Sequence, residues 1–482
     1  MIHERNRLGG VLMIIYVVRA GDTLRQIANR YGVNMNSIIQ INGLPNPNQL
    51  LVGQSLVIPK PGTYHTVNSG ETLSSISQQY GVTVQSIIQA NQLTNPNTLN
   101  VGTQLFIPPI THIVQPGETL RQIANRYGTT VQAIMRENNI DNPNIVYSGV
   151  RLAIPRSKPV IEVNAYTYQS SENAVTTLNQ IGDLLTYFSP FAYKIKEDGT
   201  LQPMNDQAMI KAALANNIMP MMSLTNFTST QAGSNLANTI LANSELREKV
   251  ITNTLQVMDE KGYRALNIDF ENVLPADREN YNRFLQLAVD RLHPKGYLVS
   301  SALAPKASAT QAGVLYEAHD YEAHGRIADF VVLMTYEWGY RLGPPQAISP
   351  INQMRRVVEY ALSVMPAEKI FLGFQIYARD WLVPHVQGQE AETFSPQEAI
   401  RRAVKYKATI QYDTTAQSPF FRYTDEQGRE HEVWFEDARS AQAKFDMVKQ
   451  YKLRGVSYWA LGFPYPQNWA LLNDNFTIKK LL

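Results

Sequence analysis

Cysteine is absent from the 482 residues, so neither disulfides nor thiolate metal sites hold this chain together. No apolar stretch reaches the roughly 18–20 residues that a membrane span needs, and a membrane is not an expected partner. Charge of one sign is also scarce: 43 Lys and Arg face 41 Asp and Glu, the net charge is +2, and no block of like charge occurs. Nucleic acid is therefore not an expected partner either. Arg5 and Arg7 ahead of the apolar run 8–18 imitate an export signal. That run flows into a repeat that needs residues 15–18 as its first strand, so residues 1–12 read as an extension ahead of a start at Met13. What remains is an ordinary globular composition, 44% hydrophobic and 17% charged, with 25 Tyr outnumbering 16 Phe and 5 Trp together. The length suggests two to four domains. Aromatic faces stack on sugars, which fits a saccharide binder weakly.

Internal repetition is the strongest signal in the first third. Gly21-Asp22-Thr23-Leu24 recurs 49 positions later as Gly70-Glu71-Thr72-Leu73 and 47 later again as Gly117-Glu118-Thr119-Leu120. A short β-type run precedes each turn, and apolar residues at helical spacing follow it (Leu24, Ile27, Ala28, Tyr31). Gly32, Gly81 and Gly128 stand where a helix end needs a left-handed residue. A second short helix, an Asn-Pro loop (Asn46, Asn95, Asn142) and a closing strand ending in Pro complete each copy. The turn Thr is placed to cap the first helix. Each unit is thus β-α-α-β, and the three copies resemble LysM modules over residues 13–156. The resemblance implies binding of N-acetylglucosamine in peptidoglycan or chitin chains. Its groove lies between the first turn (Gly21 to Leu24, Gly70 to Leu73, Gly117 to Leu120) and the loops that begin at Asn46, Asn95 and Asn142. The same Gly, Thr and Asn-Pro residues are also ordinary fold punctuation.

Beyond a Pro/Lys/Ser linker at 155–159 the rhythm changes. Eight β-type runs, at 160–166, 184–193, 218–225, 265–271, 297–304, 330–336, 370–377 and 455–461, alternate with amphipathic helical segments such as 246–261 and 279–292. That alternation predicts an α/β fold, a (β/α)8 TIM barrel. The long gap before the eighth run holds β-type stretches at 408–412, 420–425 and 432–435, a small β insertion at about 385–440. Expected boundaries are 13–60, 62–109 and 110–156 for the repeats and 160–482 for the barrel.

The fourth run ends Leu266-Asn267-Ile268-Asp269-Phe270-Glu271. Residues two apart on a strand share a face, so Asn267, Asp269 and Glu271 point into the barrel while Ile268 and Phe270 face the helices. Two carboxylates in an apolar strand are costly unless they do chemistry. A helix N-cap accounts for Glu271 at most, not for Asp269. This stretch resembles the Asp-Gly-x-Asp-x-Asp-x-Glu signature of glycoside hydrolase family 18, with Arg264 and Asn267 in place of its first and middle Asp. The domain is most similar to the spore-germination branch of that family. Met334-Thr335-Tyr336-Glu337 resembles the family's Met-x-Tyr-Asp segment. The resemblance implies that Glu271 is the general acid. Asp269 orients the substrate acetamido group, Tyr336 hydrogen-bonds it, and Trp459 is the floor under the reacting sugar. Asn267 supports Asp269, Glu337 takes the Asp position, and Gln375 and Tyr377 at the end of the seventh run are further sugar contacts.

The reaction so implied retains configuration and needs no cofactor and no metal. His112, His293, His319, His324 and His431 lack ligand spacing. The expected protein is a monomeric, peptidoglycan-binding N-acetylglucosaminidase of spore coat, cortex or cell wall, without a signal peptide. A chitinase and a non-catalytic, lectin-like wall protein are the alternatives; the second would usually lack Glu271.

Overall fold

The computed structural model describes residues 13–59, 63–91, 93, 95–96, 98–155, 158–227 and 234–482. The expected extension at 1–12 lies outside them. The chain divides into two compact units, one built on the repeats up to Pro159 and one on the region from Val160 to Trp469.

In every repeat the first and last strands pair antiparallel: Ile14–Val17 with Ser55–Ile58, Thr63–Thr66 with Gln104–Ile107, and Ile110–Ile113 with Arg151–Ile154. Two helices lie between, Leu24–Tyr31 and Met35–Asn42 in the first copy. The turn Thr opens each first helix with a reciprocal capping box, Thr23 with Gln26, Thr72 with Ser75 and Thr119 with Gln122. Removing such a cap typically costs about 1 kcal/mol. Gly32 and Gly81 close the first two of these helices in the left-handed conformation, whereas the third ends one residue earlier, at Tyr127. An asparagine at the end of each second helix clips the closing strand. The Asn42 carboxamide donates to the Val57 carbonyl at 2.8 Å and accepts from the Val57 N–H at 2.7 Å. Asn91 does the same to Phe106, and Asn138 to Ala153. The sequence reading passed over this clip.

The second unit is a closed barrel of eight parallel strands: β1 (Val160–Thr167), β2 (Tyr187–Pro190), β3 (Met219–Thr225), β4 (Ala265–Asp269), β5 (Leu298–Leu303), β6 (Phe330–Leu333), β7 (Ile370–Gln375) and β8 (Gly455–Leu461). Neighbours pair in chain order and β8 returns to β1, so the barrel has no open edge. Each of the eight expected runs contains one strand, but β4 and β6 stop short of 271 and 336. After Leu333 the backbone closes on itself, Thr335 N–H to Leu333 O and Tyr336 N–H to Met334 O, both at 2.9 Å. Just past β4 the chain joins the helix layer: Phe270 stacks on Tyr281 and Phe284 of helix Arg278–Leu292, centroids 5.5 and 5.3 Å apart.

The β insertion is larger than expected. Five antiparallel strands run in the order Glu392–Phe394, Ala378–Val383, Glu430–Trp434, Ser418–Thr424, Gln411–Asp413. The strand Ala378–Val383 was missed because only Ile376 and Tyr377 separate it from β7. No helix among the described residues is long and apolar enough to cross a membrane.

Candidate active site

The C-terminal ends of β1, β3, β4, β6, β7 and β8 meet around Asp269 and Glu271. Below them Asn267 is fully buried; it accepts from the Tyr166 hydroxyl and donates to Ser300 Oγ, both at 2.9 Å. Asn267 therefore ties β1, β4 and β5 together under the carboxylates. Asp269 is 5% exposed, and its Oδ1 has no hydrogen-bond partner among the described residues. The Ser223 hydroxyl, on the residue paired with Asn267, is likewise buried and unpartnered. An unpaired buried polar atom costs free energy, so the Asp269 Oδ1 is available to a group that donates to it.

Burial pushes the Asp269 carboxyl well above the usual carboxylate range. It does the same to Glu271, and the negative charges of Asp269 and Glu337 push that group further. No cation among the described residues offsets either charge. Burial thus favours protonation in this pair of neighbouring carboxyls.

Glu271 lies two residues past the end of β4, and the Asn226 side chain holds its backbone. Tyr336 is half-buried, and burial, with Tyr166, Asp269 and Glu271 nearby, holds its phenol far above 10, as a neutral donor. Glu337 is left-handed at φ 69°. Arg379 grips its carboxylate with two bonds of 2.8 and 2.9 Å, the Tyr377 hydroxyl donates to the same carboxylate, and Arg379 also reaches the Gly339 carbonyl. Glu337 and Tyr377 are thus bound to each other. Gln375 is fully buried: its carbonyl accepts from Ser349 and its amide donates to Glu436 at 2.9 Å. Glu436 pairs with the buried Lys444 at 2.7 Å. That carboxamide is a strut beneath the site rather than an open sugar contact. Trp459 is half-buried and packs against Phe191, Tyr166 and Tyr168 at 4.7, 5.6 and 6.2 Å between centroids.

The structure therefore gathers Asn267, Asp269, Glu271, Tyr336, Glu337, Tyr377 and Trp459 at one mouth. The sequence reading missed Asn226, Tyr166, Ser300 and Arg379. Tyr166 and Ser300 were legible as inward positions of strands. Asn226 lies just past the end of β3, where no periodicity marks it, and Arg379 lies in the insertion strand Ala378–Val383, which the sequence reading did not recognise.

In the repeats the side chains of the expected groove residues are largely spent on the fold. Leu24, Leu73 and Leu120 are buried in the module cores, and Thr23, Thr72 and Thr119 are caps. Asp22 accepts from the Tyr16 hydroxyl and the Arg19 N–H at 2.6 and 2.8 Å. Glu71 accepts from Asn68 N–H and meets His65, both at 2.7 Å; Glu118 accepts from Gln115 N–H at 3.1 Å and meets His112. Asn46 and Asn142 close Asx turns, each accepting from the N–H two residues on at 3.0 Å. Asn95 N–H and side-chain roles aside, its carbonyl accepts from Thr98 N–H at 3.4 Å. What each turn leaves for a ligand is backbone, with Gly21, Gly70 and Gly117 left-handed at φ 83°, 84° and 75°.

Comparison with known proteins agrees with this geometry. The LysM domain matches residues 16–59, 65–108 and 112–155, and the glycosyl hydrolases family 18 matches residues 151–463. The cortical fragment-lytic enzyme of Bacillus subtilis (strain 168) is 47% identical over 97% of this chain and 99% of its own length. The Bacillus anthracis enzyme of that name is 43% identical over 97% of this chain and 99% of its own. The crystal structure of the Bacillus megaterium QM B1551 spore cortex-lytic enzyme SleL superposes with a TM-score of 0.79 at 40% identity, covering 98% of this chain and all of that one. This chain belongs to the glycosyl hydrolases family 18, with three LysM domains ahead of its barrel.

Proposed function

We propose that this hydrolase cleaves N-acetylglucosaminyl linkages of spore cortex or cell-wall peptidoglycan with retention of configuration, while the LysM domains hold it on the glycan. One observation carries the reading: Asp269, buried at the end of β4, and Glu271, half-buried two residues further on, both have raised pKa values, with no offsetting cation among the described residues. A carboxyl kept protonated near neutral pH is what a general acid requires. The substrate class is supported by the full-length relatives, which are cortical fragment-lytic and spore cortex-lytic enzymes.

In this mechanism Glu271 gives its proton to the glycosidic oxygen as the C1–O bond breaks. The substrate's own acetamido oxygen bonds to C1, giving an oxazolinium-like ion, so no enzyme nucleophile is needed. Asp269 Oδ1, unpartnered among the described residues, accepts the acetamido N–H and faces the developing positive charge. Tyr336 donates to the acetamido oxygen and Trp459 floors the sugar. Water then gives a proton to the Glu271 carboxylate and attacks C1, the acetamido–C1 bond breaks, and the enzyme returns to its starting state.

Residues 13–156 supply adhesion and 160–482 chemistry. The glycan lies along the turns at Gly21–Leu24, Gly70–Leu73 and Gly117–Leu120 and the loops from Asn46, Asn95 and Asn142. Three linked weak sites gain roughly 10²–10⁴ in avidity on a polymer. Cortex or cell wall is the place of action. Mass spectrometry of cortex fragments after incubation tests the substrate: new N-acetylglucosamine reducing ends are expected. Cleavage of chitin oligomers with cortex fragments left intact would replace this reading with a chitinase.

A further inference from the structure

β3 and β4 run in parallel register up to the pair Thr225 and Asp269, and there the backbone ladder stops. The chain leaves the sheet through Glu271 and turns at Asn272, which is left-handed at φ 52°. A carboxyl two residues beyond a strand end would ordinarily wander with its loop. Here it does not have that freedom. The Asn226 carboxamide, 1% exposed, donates through Nδ2 to the Glu271 carbonyl at 2.8 Å and accepts through Oδ1 from the Glu271 N–H at 2.9 Å. One planar side chain thus stands in for the next peptide of β3 and adds a rung to the ladder at the acid itself. The repeats use the same reciprocal carboxamide three times, at Asn42, Asn91 and Asn138, to clip a strand backbone.

We propose that Asn226 is a positioning residue that fixes the Glu271 carboxyl for proton transfer, a role that rests on Glu271 being the general acid. The geometry requires a side chain that donates and accepts at once in one plane. Ala provides neither bond. Asp accepts the N–H but sets a carboxylate against the Glu271 carbonyl and adds a negative charge beside the acid. Small displacements of reacting groups can cost on the order of 10²-fold in rate.

The test is steady-state kinetics of the full chain on soluble cortex fragments with wild type, N226A, N226D and E271Q, each with a pH profile and a thermal melt. N226A is expected to lose about 10–10²-fold in kcat with KM within about threefold, since sugar contacts are untouched. N226D is expected to move the basic limb of kcat to higher pH, because an added negative charge favours protonated Glu271. A residue with a merely structural role would lower the melting temperature and leave the kcat of the folded protein unchanged. If N226A fails to fold, N226D decides by its kcat and KM: a kcat about tenfold or more below wild type at its own pH optimum, with KM within about threefold, supports the proposal, and a wild-type kcat at that optimum overturns it, wherever the limb lies. E271Q separates the two claims. If it retains turnover, the acid assignment fails; if it is inactive while N226A and N226D keep wild-type kcat and pH profile, only the positioning role fails.

Discussion

Asp22, Glu71 and Glu118 occupy the first turns of the repeats, and Asp269 and Glu271 the end of β4; the same chemical group stands in opposite surroundings. In the repeats the Asn68 N–H and His65 lower the Glu71 pKa, and the Gln115 N–H and His112 lower that of Glu118. Asp22 is also lowered: burial works against it, but the Tyr16 hydroxyl, the Arg19 N–H and Arg30 outweigh that. At the end of β4 burial raises both carboxyls, and among the described residues no cation offsets it. Both sets follow Gly or apolar residues in sequence, so the residue type alone does not separate them. What separates them is whether the fold supplies the hydrogen-bond partners or leaves them to a substrate.

The largest break in this comparison comes from activity. Asp269→Asn keeps the shape but removes the charge that orients the acetamido group, and kcat on soluble cortex fragments should fall at least about 10²-fold. The equivalent change in a repeat, Glu118→Gln, should leave that kcat unchanged and weaken sedimentation with insoluble cortex. A mild loss for Asp269→Asn would favour a two-carboxylate mechanism.

Stability should respond with opposite signs. A carboxyl whose folded pKa is raised is easier to ionise unfolded, so it lowers stability once pH passes its unfolded value. Asp269→Asn or Glu271→Gln should therefore raise the barrel's melting temperature at pH 7, by about 2 °C or more. A carboxyl whose folded pKa is lowered adds stability above its unfolded pKa, lost as pH falls through the folded one. Glu118→Gln should accordingly lower the melting temperature of the repeat unit. Scanning calorimetry on the full chain reads both; shifts of the same sign would erase the distinction drawn here.

A smaller effect lies behind β4. His319 and His324 are fully buried, and burial pushes their pKa values down to about 4 and about 3. The unfolded chain takes up their protons first, so the barrel should lose stability as pH falls from about 6.5 towards 4. His324→Asn, which can keep a bond to the Ser301 hydroxyl where His324 Nδ1 now sits at 2.9 Å, should flatten that slope. An unchanged slope would place the acid sensitivity elsewhere.

Much of this was legible in the sequence for physical reasons. The eight strands announced themselves as apolar runs because parallel strands are buried on both faces. Asp269 and Glu271 stood out because period two put both carboxylates on the face of Asn267. The repeats were plain from three copies of one turn. What stayed hidden depends on side chains meeting across long separations. Asn226 lies 45 residues from Glu271, and Arg379 lies 42 from Glu337. Gln375 read as a sugar contact because it ends β7, yet Glu436, supplied 61 residues later from beyond the insertion, takes its amide. The strand Ala378–Val383 went unread because its partner Glu430–Trp434 is remote in sequence.

The claim that Glu271 supplies the proton is tested most directly by Glu271→Gln in the full chain, with turnover of soluble cortex fragments and binding of an N-acetylglucosamine thiazoline measured side by side. The thiazoline mimics the cyclised intermediate and should bind more tightly than substrate. The account predicts a loss of turnover of about 10²–10⁴-fold or more, with thiazoline affinity within a few-fold of wild type. Turnover within about tenfold of wild type would contradict it, because a general acid is not dispensable to that degree.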